Sequence, residues 1–183
     1  LTQIVTVKSN GASVTRTRYT YDSLNRLETV TTDLSPEDNN IADGKKVITT
    51  YTYDSTSDRV TSISQTGGAY LSLSYTLIAS TYKITSYTQT NSDGYTATTT
   101  LSYDTINRTT TITDDIGQIT KLGYDSGLQL VKIELPPSQA GSSAQIIRYA
   151  YNSSGDVISE TDPAGNITSY SYDANGNLVD RGD

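Results

Sequence analysis

The chain reads as all-β, a series of repetitive antiparallel β-hairpins stacked in a spiral or solenoid-like sheet. Three observations predict this. A Tyr-Asp pair returns along the chain as Tyr21-Asp22, Tyr53-Asp54, Tyr103-Asp104, Tyr124-Asp125 and Tyr172-Asp173, with Tyr151-Asn152 as a variant and a degenerate copy at Tyr75. Successive starts lie roughly 21 to 32 residues apart, a period typical of supersecondary units that must stack to bury a core. Turn-forming residues recur at two places in each copy. The composition leans the same way, with 15 Tyr, abundant Thr and no Phe, Trp or Met; Tyr, Thr, Val and Ile suit a pleated, half-buried surface.

The clearest copy runs from Tyr151 to Tyr172. Ser154-Gly155 follows its start, where Gly takes the positive φ of a hairpin turn. Asp162-Pro163-Ala164-Gly165 makes a second turn, with Pro setting φ early and Gly closing it. Between the turns lie Val157–Thr161 and Ile167–Tyr172, each of ordinary strand length. Tyr170 and Tyr172 are two apart and so share a face.

The other copies follow the same plan. First turns carry Asn25, Asn107 and Asn175-Gly176, Asn being the usual substitute for Gly at positive φ. Second turns read Asn10-Gly11, Gly67-Gly68, Asp93-Gly94 and Asp115-Ile116-Gly117. An apolar residue stands six places after several of the tyrosines: Leu27, Leu130, Val157 and Leu178. Val60 comes one place late, which predicts a bulge or a longer turn after Tyr53. The Asp beside each Tyr is expected to bond turn amides. Residues 34–46 and 136–144 read as loop insertions, and Ser35-Pro36-Glu37-Asp38 is expected to cap one helical turn. Residues 1–183 thus form one array of about six repeats, incomplete at both ends.

The combination Tyr-Asp-x-x-Gly/Asn-x-Leu, then Thr-Asp-Pro-x-Gly-Asn, then Tyr-x-Tyr-Asp, resembles the YD-repeat or RHS-repeat family. Residues 151–173 match closely, and 21–33, 103–125 and 172–178 in part. The resemblance implies a long sheet of hairpins wound as a spiral. In bacterial insecticidal toxin complexes and RHS polymorphic toxins such a sheet encloses a toxic polypeptide; teneurins and some bacterial wall-associated proteins carry related repeats. RHS toxin cores close on an Asp-Pro-x-Gly-Leu signature with a self-cleaving aspartate system. Here Asp162-Pro163-Ala164-Gly165 is followed by Asn166, so no protease residue carries over.

Composition narrows the chemistry. With no His and no Cys, the chain lacks Ser-His-Asp and Cys-His machinery and Cys/His zinc sites, so no catalytic residue, metal or cofactor is assigned. A formal charge of −7 disfavours nucleic acid and anionic lipid as partners, and no apolar run is long enough to insert in a membrane. Asp162, Asn166, Asp173, Asn175 and Asn177 offer oxygens, yet in no known calcium spacing. Arg181-Gly182-Asp183 matches the integrin tripeptide, a match too short to carry weight. The motif residues Tyr21, Asp22, Tyr53, Asp54, Tyr103, Asp104, Tyr124, Asp125, Tyr151, Gly155, Asp162, Pro163, Gly165, Tyr170, Tyr172, Asp173 and Gly176 are therefore read as structural. The expected role is a non-enzymatic wall segment of a secreted or cell-surface bacterial shell. Its partners would be neighbouring repeats of the same or an identical chain and an encapsulated polypeptide. Two alternatives stand beside it: a fibre subunit joined end to end by strand pairing, and an adhesion module for a cell-surface glycan or receptor.

Overall fold

The computed structural model describes residues 1–139 and 141–182; Ala140, in the 136–144 loop, and Asp183, in the Arg-Gly-Asp tripeptide, lie outside the described residues. The strands are β1 (Gln3–Val7), β2 (Ser13–Tyr21), β3 (Leu27–Asp33), β4 (Lys46–Tyr53), β5 (Val60–Gln65), β6 (Tyr70–Ile78), β7 (Thr81–Thr90) and β8 (Thr96–Asp104). They continue as β9 (Thr109–Thr113), β10 (Ile119–Tyr124), β11 (Leu130–Leu135), β12 (Gln145–Tyr151), β13 (Val157–Thr161), β14 (Ile167–Tyr172) and β15 (Leu178–Gly182). One short 3₁₀ helix, Pro36–Asp38, interrupts the series. The strands are hydrogen-bonded in chain order, the arrangement that short hairpin connections impose. Leu27, Val60, Leu130, Val157 and Leu178 each open a strand.

The chain divides into two compact units, Leu1–Thr76 with Ile84–Thr98, and Leu77–Lys83 with Thr99–Asp183. In the first unit the register sorts side chains by chemistry. Thr20 pairs with Thr29, Thr29 with Thr50, and Thr50 with Ser64, so a band of hydroxyls lines one face. The alternate positions put Tyr19 opposite Val30, and Tyr51 opposite Ile63, which pairs on with Leu71. In the second unit Leu101 faces Ile112, and Leu122 faces Ile133, which faces Ile147. Period-two alternation therefore gives an aliphatic and aromatic face and a hydroxyl face. On the hydroxyl face Thr20 and Thr29 lie 2.8 Å apart through their oxygens, and Thr88 and Thr98 likewise, cross-strand bonds that pin register.

Among the described residues, burial is concentrated in one place in the first unit. Residues 34–45 fold back so that Ile41, Arg16, Asp33, Ser35 and Pro36 are buried together. Arg16 lies 3.6 Å from Asp33 Oδ2 and donates to Asn39 Oδ1. The expected helical turn is present as the 3₁₀ helix, but Ser35 makes no side-chain capping bond. Its hydroxyl instead contacts Asp43 Oδ2 at 2.7 Å and Asp38 Oδ2 at 3.2 Å, because the loop closes on itself. Lys46, expected in this loop, is already the first residue of β4 and pairs with Asp33.

Candidate functional site

Each Tyr-Asp pair ends a strand and opens a turn, and the turn chemistry is shared. At Asp173 the carboxylate Oδ1 accepts from the amides of Asn175 (2.8 Å) and Asn177 (2.9 Å), while Oδ2 accepts from Asn177 Nδ2 (2.9 Å). The Asp173 amide donates to the Asn177 carbonyl and the Gly176 amide to the Asp173 carbonyl. Gly176, third after the Asp, takes φ 80°. Asp22, Asp125 and Asn152 repeat this with Arg26, Gln129 and Asp156 as the fourth residue, and with Asn25, Leu128 and Gly155 at positive φ. This is a three-residue hairpin loop ending in a left-handed residue that forms a bulge, and register slips where each strand meets its Tyr.

The second turns use the same loop bonds but pair without a register slip. Asp162 Oδ1 accepts from the Asn166 amide and Oδ2 from Asn166 Nδ2, with Gly165 at φ 92°. Asp114 bonds the amides of Ile116 and Gln118, with Gly117 at φ 81°. Pro163 thus sits inside the loop that the first turns build without proline. The fourth-residue donor, side chain or backbone, was not picked out by sequence reasoning; the recurrence of Asn, Gln or Arg four places after the Asp was the available signal.

Because these carboxylates accept several bonds in their charged form, their acidity rises. The Arg26 amide holds Asp22 below the usual carboxylate range, the Asn107 amide does the same for Asp104, and the Asn166 and Asn177 side chains do it for Asp162 and Asp173. The oxygens of Asp162 and Asp173 that a calcium ion would need face amide N–H donors. Among the described residues no group of three acidic side chains is arranged to hold a metal ion.

Three copies depart from the plan. After Tyr103 the residue at positive φ is Arg108 (51°), not the expected Asn107. Asp104 and Thr109 form a regular pair here, giving a four-residue loop without a bulge, and Asn107 instead turns its amide and side chain onto Asp104. After Tyr53 the loop is one residue longer: the Asp54 amide reaches the Arg59 carbonyl and Ser55 is left-handed. The Tyr75 copy turns through Ala79 and Ser80, both at positive φ, as in a two-residue type I′ turn.

The tyrosine hydroxyls supply the link between repeats. Tyr53 donates to the Leu27 carbonyl (2.7 Å), Tyr75 to Val60 (2.8 Å), Tyr151 to Leu130 (2.7 Å) and Tyr172 to Val157 (2.8 Å). In each case the acceptor is the residue that opens the second strand of the preceding hairpin. Tyr21 makes the same bond to Leu1 (2.8 Å), which puts Leu1 in the place that Leu27 and Val157 hold further on. Arg26 adds a lateral tie: it pairs with Asp22 (2.7 Å), donates to the carbonyls of Ser55 (2.8 Å) and Ser57 in the next first turn, and lies 4.4 Å over the Tyr53 ring. The remaining motif residues sit at matching places. Tyr124 ends β10 with its amide on the Arg108 carbonyl, and Tyr170 pairs with Arg181 in β15.

Residues 151–183 match the RHS Repeat family model. No curated protein matches the chain. Among solved structures, crystal structures of TcdB2-TccC3-Cdc42 and of TcdB2-TccC3 without its hypervariable C-terminal region superpose with TM-scores of 0.71 and 0.70. Each is 16% identical and covers 98% of this chain and 10% of the longer one, so this chain spans about a tenth of their length and the likeness is one of fold. The tyrosine-closed hairpins, the matched segment and that shared fold agree: residues 151–183 carry an RHS repeat, and the chain has the hairpin-array fold of these structures.

Proposed function

We propose that the chain is a non-enzymatic wall segment of a bacterial RHS/toxin-type shell, secreted or displayed at the cell surface. On this reading residues 1–183 form a single array of about six repeats, and the motif tyrosines and aspartates are wall-building groups. The observation that carries it is the repeated Tyr-hydroxyl bond, in which the tyrosine of one unit bonds the backbone of its neighbour. Nearest-neighbour coupling of this kind is what a stacked array needs to remain continuous. The shell-forming partner would be further repeats, and a polypeptide cargo would be enclosed by them.

The alternative is a fibre subunit joined end to end by strand pairing. A concentration series by light scattering with electron microscopy tests the reading: the purified chain is expected to form no filaments, and filaments would overturn the shell assignment. Hydrolase activity abolished by changing one carboxylate would overturn its non-enzymatic part.

A further inference from the structure

We propose that the cavity between Lys83, Tyr103, Arg108 and Tyr124 binds an acidic sugar residue. The cavity, about 330 Å³, lies within the second unit, at the low end of the size range of small-molecule pockets. Its lining combines the groups such a ligand requires. Tyr124 offers an aromatic ring, Thr110 a hydroxyl, and Lys83 and Arg108 positive charge.

Three observations bear on this site. The first is charge. In a chain of net charge −7 several cations sit against carboxylates, as Arg16 does with Asp33, Arg26 with Asp22, Arg59 with Asp54 and Lys132 with Glu134. Among the described residues Lys83 and Arg108 form no ion pair. Lys83 stands 4.7 Å over the Tyr103 ring, and Arg108 Nε donates to the Tyr124 carbonyl at 3.3 Å, leaving its other guanidinium donors uncommitted to that bond. The acid in the lining, Asp104, is occupied by its own turn through both oxygens.

The second is backbone strain. Arg108 and Leu128 both hold positive φ (51° and 64°), a region that non-glycine residues enter at a cost and that collects at functional sites. Both line this one cavity. At the position of Leu128 the other bulged first turns hold Asn25, Gly155 or Gly176, and Arg108 stands one place beyond it in its own turn.

The third is irregularity. The hairpin that carries Tyr103 and Arg108 lacks the bulged three-residue loop of the Tyr21, Tyr124, Tyr151 and Tyr172 copies, and Arg108 lines the cavity. A carboxylate between Arg108 and Lys83 would form charge-assisted bonds, while the flat face of a pyranose would rest on a tyrosine ring.

Isotope-edited NMR titration of the whole chain tests this, with sodium glucuronate as probe and glucose and acetate as controls. Glucuronate is expected to shift the amides of Lys83, Tyr103, Arg108 and Tyr124, with glucose and acetate each bound about tenfold more weakly, since a good charged hydrogen bond contributes about that factor. Arg108→Asn removes the charge yet suits the left-handed turn, so it folds at least as well; it and Lys83→Gln should each lower glucuronate affinity about tenfold. Absence of shifts at these amides, equal binding of acetate or glucose, or unchanged affinity in Arg108→Asn would each overturn the proposal.

Discussion

Replacing a motif tyrosine by phenylalanine isolates the hydroxyl that joins one repeat to the next. In Tyr151→Phe the ring and its burial stay, and the 2.7 Å bond to the Leu130 carbonyl is lost. A net hydrogen bond contributes about 0.5–1.5 kcal/mol, and an acceptor left dry costs more. The Leu130 carbonyl is part-buried, so a loss near the middle of that range, about 1 kcal/mol, is expected. With a guanidinium chloride slope of about 4 kcal/mol/M for a unit of this size, the unfolding midpoint should fall by about 0.25 M. Tyr53→Phe and Tyr172→Phe, whose bonds are also part-buried, should match it. Tyr21→Phe should cost less, because its bond to Leu1 is exposed and water replaces it. Tyr70, an exposed tyrosine outside the motif, is the control, and Tyr70→Phe should leave the midpoint unchanged. If the three part-buried variants unfold with the control, the hydroxyls do not couple the repeats and the nearest-neighbour argument fails.

Three further outcomes are expected. Leu128 is 74% exposed at φ 64°, so Leu128→Asn should stabilise by about 1 kcal/mol through relief of left-handed strain; a lower melting temperature would contradict this. Arg16 and Asp33 form a buried pair whose side chains are 4% and 0% exposed, so Arg16→Met should cost about 3–5 kcal/mol by stranding the carboxylate. Adding Asp33→Leu should recover most of that loss in denaturant melts, and a double variant no better than the single would refute the pairing. Asp22, Asp104, Asp162 and Asp173 have folded pKa values held below the ordinary value of 3.8, so their stabilisation is present above that value and is lost as pH falls through the lower folded one. Stability should therefore decline from about pH 4 downward, with a shallower decline in Asp173→Asn. Stability that rises between pH 4 and pH 2 would have the wrong sign.

The local features were legible in the sequence because they depend on residues a few places apart. Val157–Thr161 and Ile167–Tyr172 are strands with the bounds that period-two alternation and the flanking Gly155, Gly165 and Gly176 predict, since a positive φ is a property of one residue. Asn107 marks the limit of that logic. Its type favours the left-handed turn, but the Asp104–Thr109 pair formed by the ladder moved the turn by one residue, and Arg108 took the conformation.

What only the tertiary structure decided was where each side chain found its partner. Nothing local says that the Tyr53 hydroxyl meets the Leu27 carbonyl, because that contact exists only once two hairpins have paired in a given register. The same holds for Arg26 reaching Ser55, for the burial of Arg16 and Ile41 under residues 34–45, and for the meeting of Lys83 with Tyr103 and Arg108. Turn and strand are short-range choices written in residue type, whereas register and burial are set by the summed pairing of distant segments.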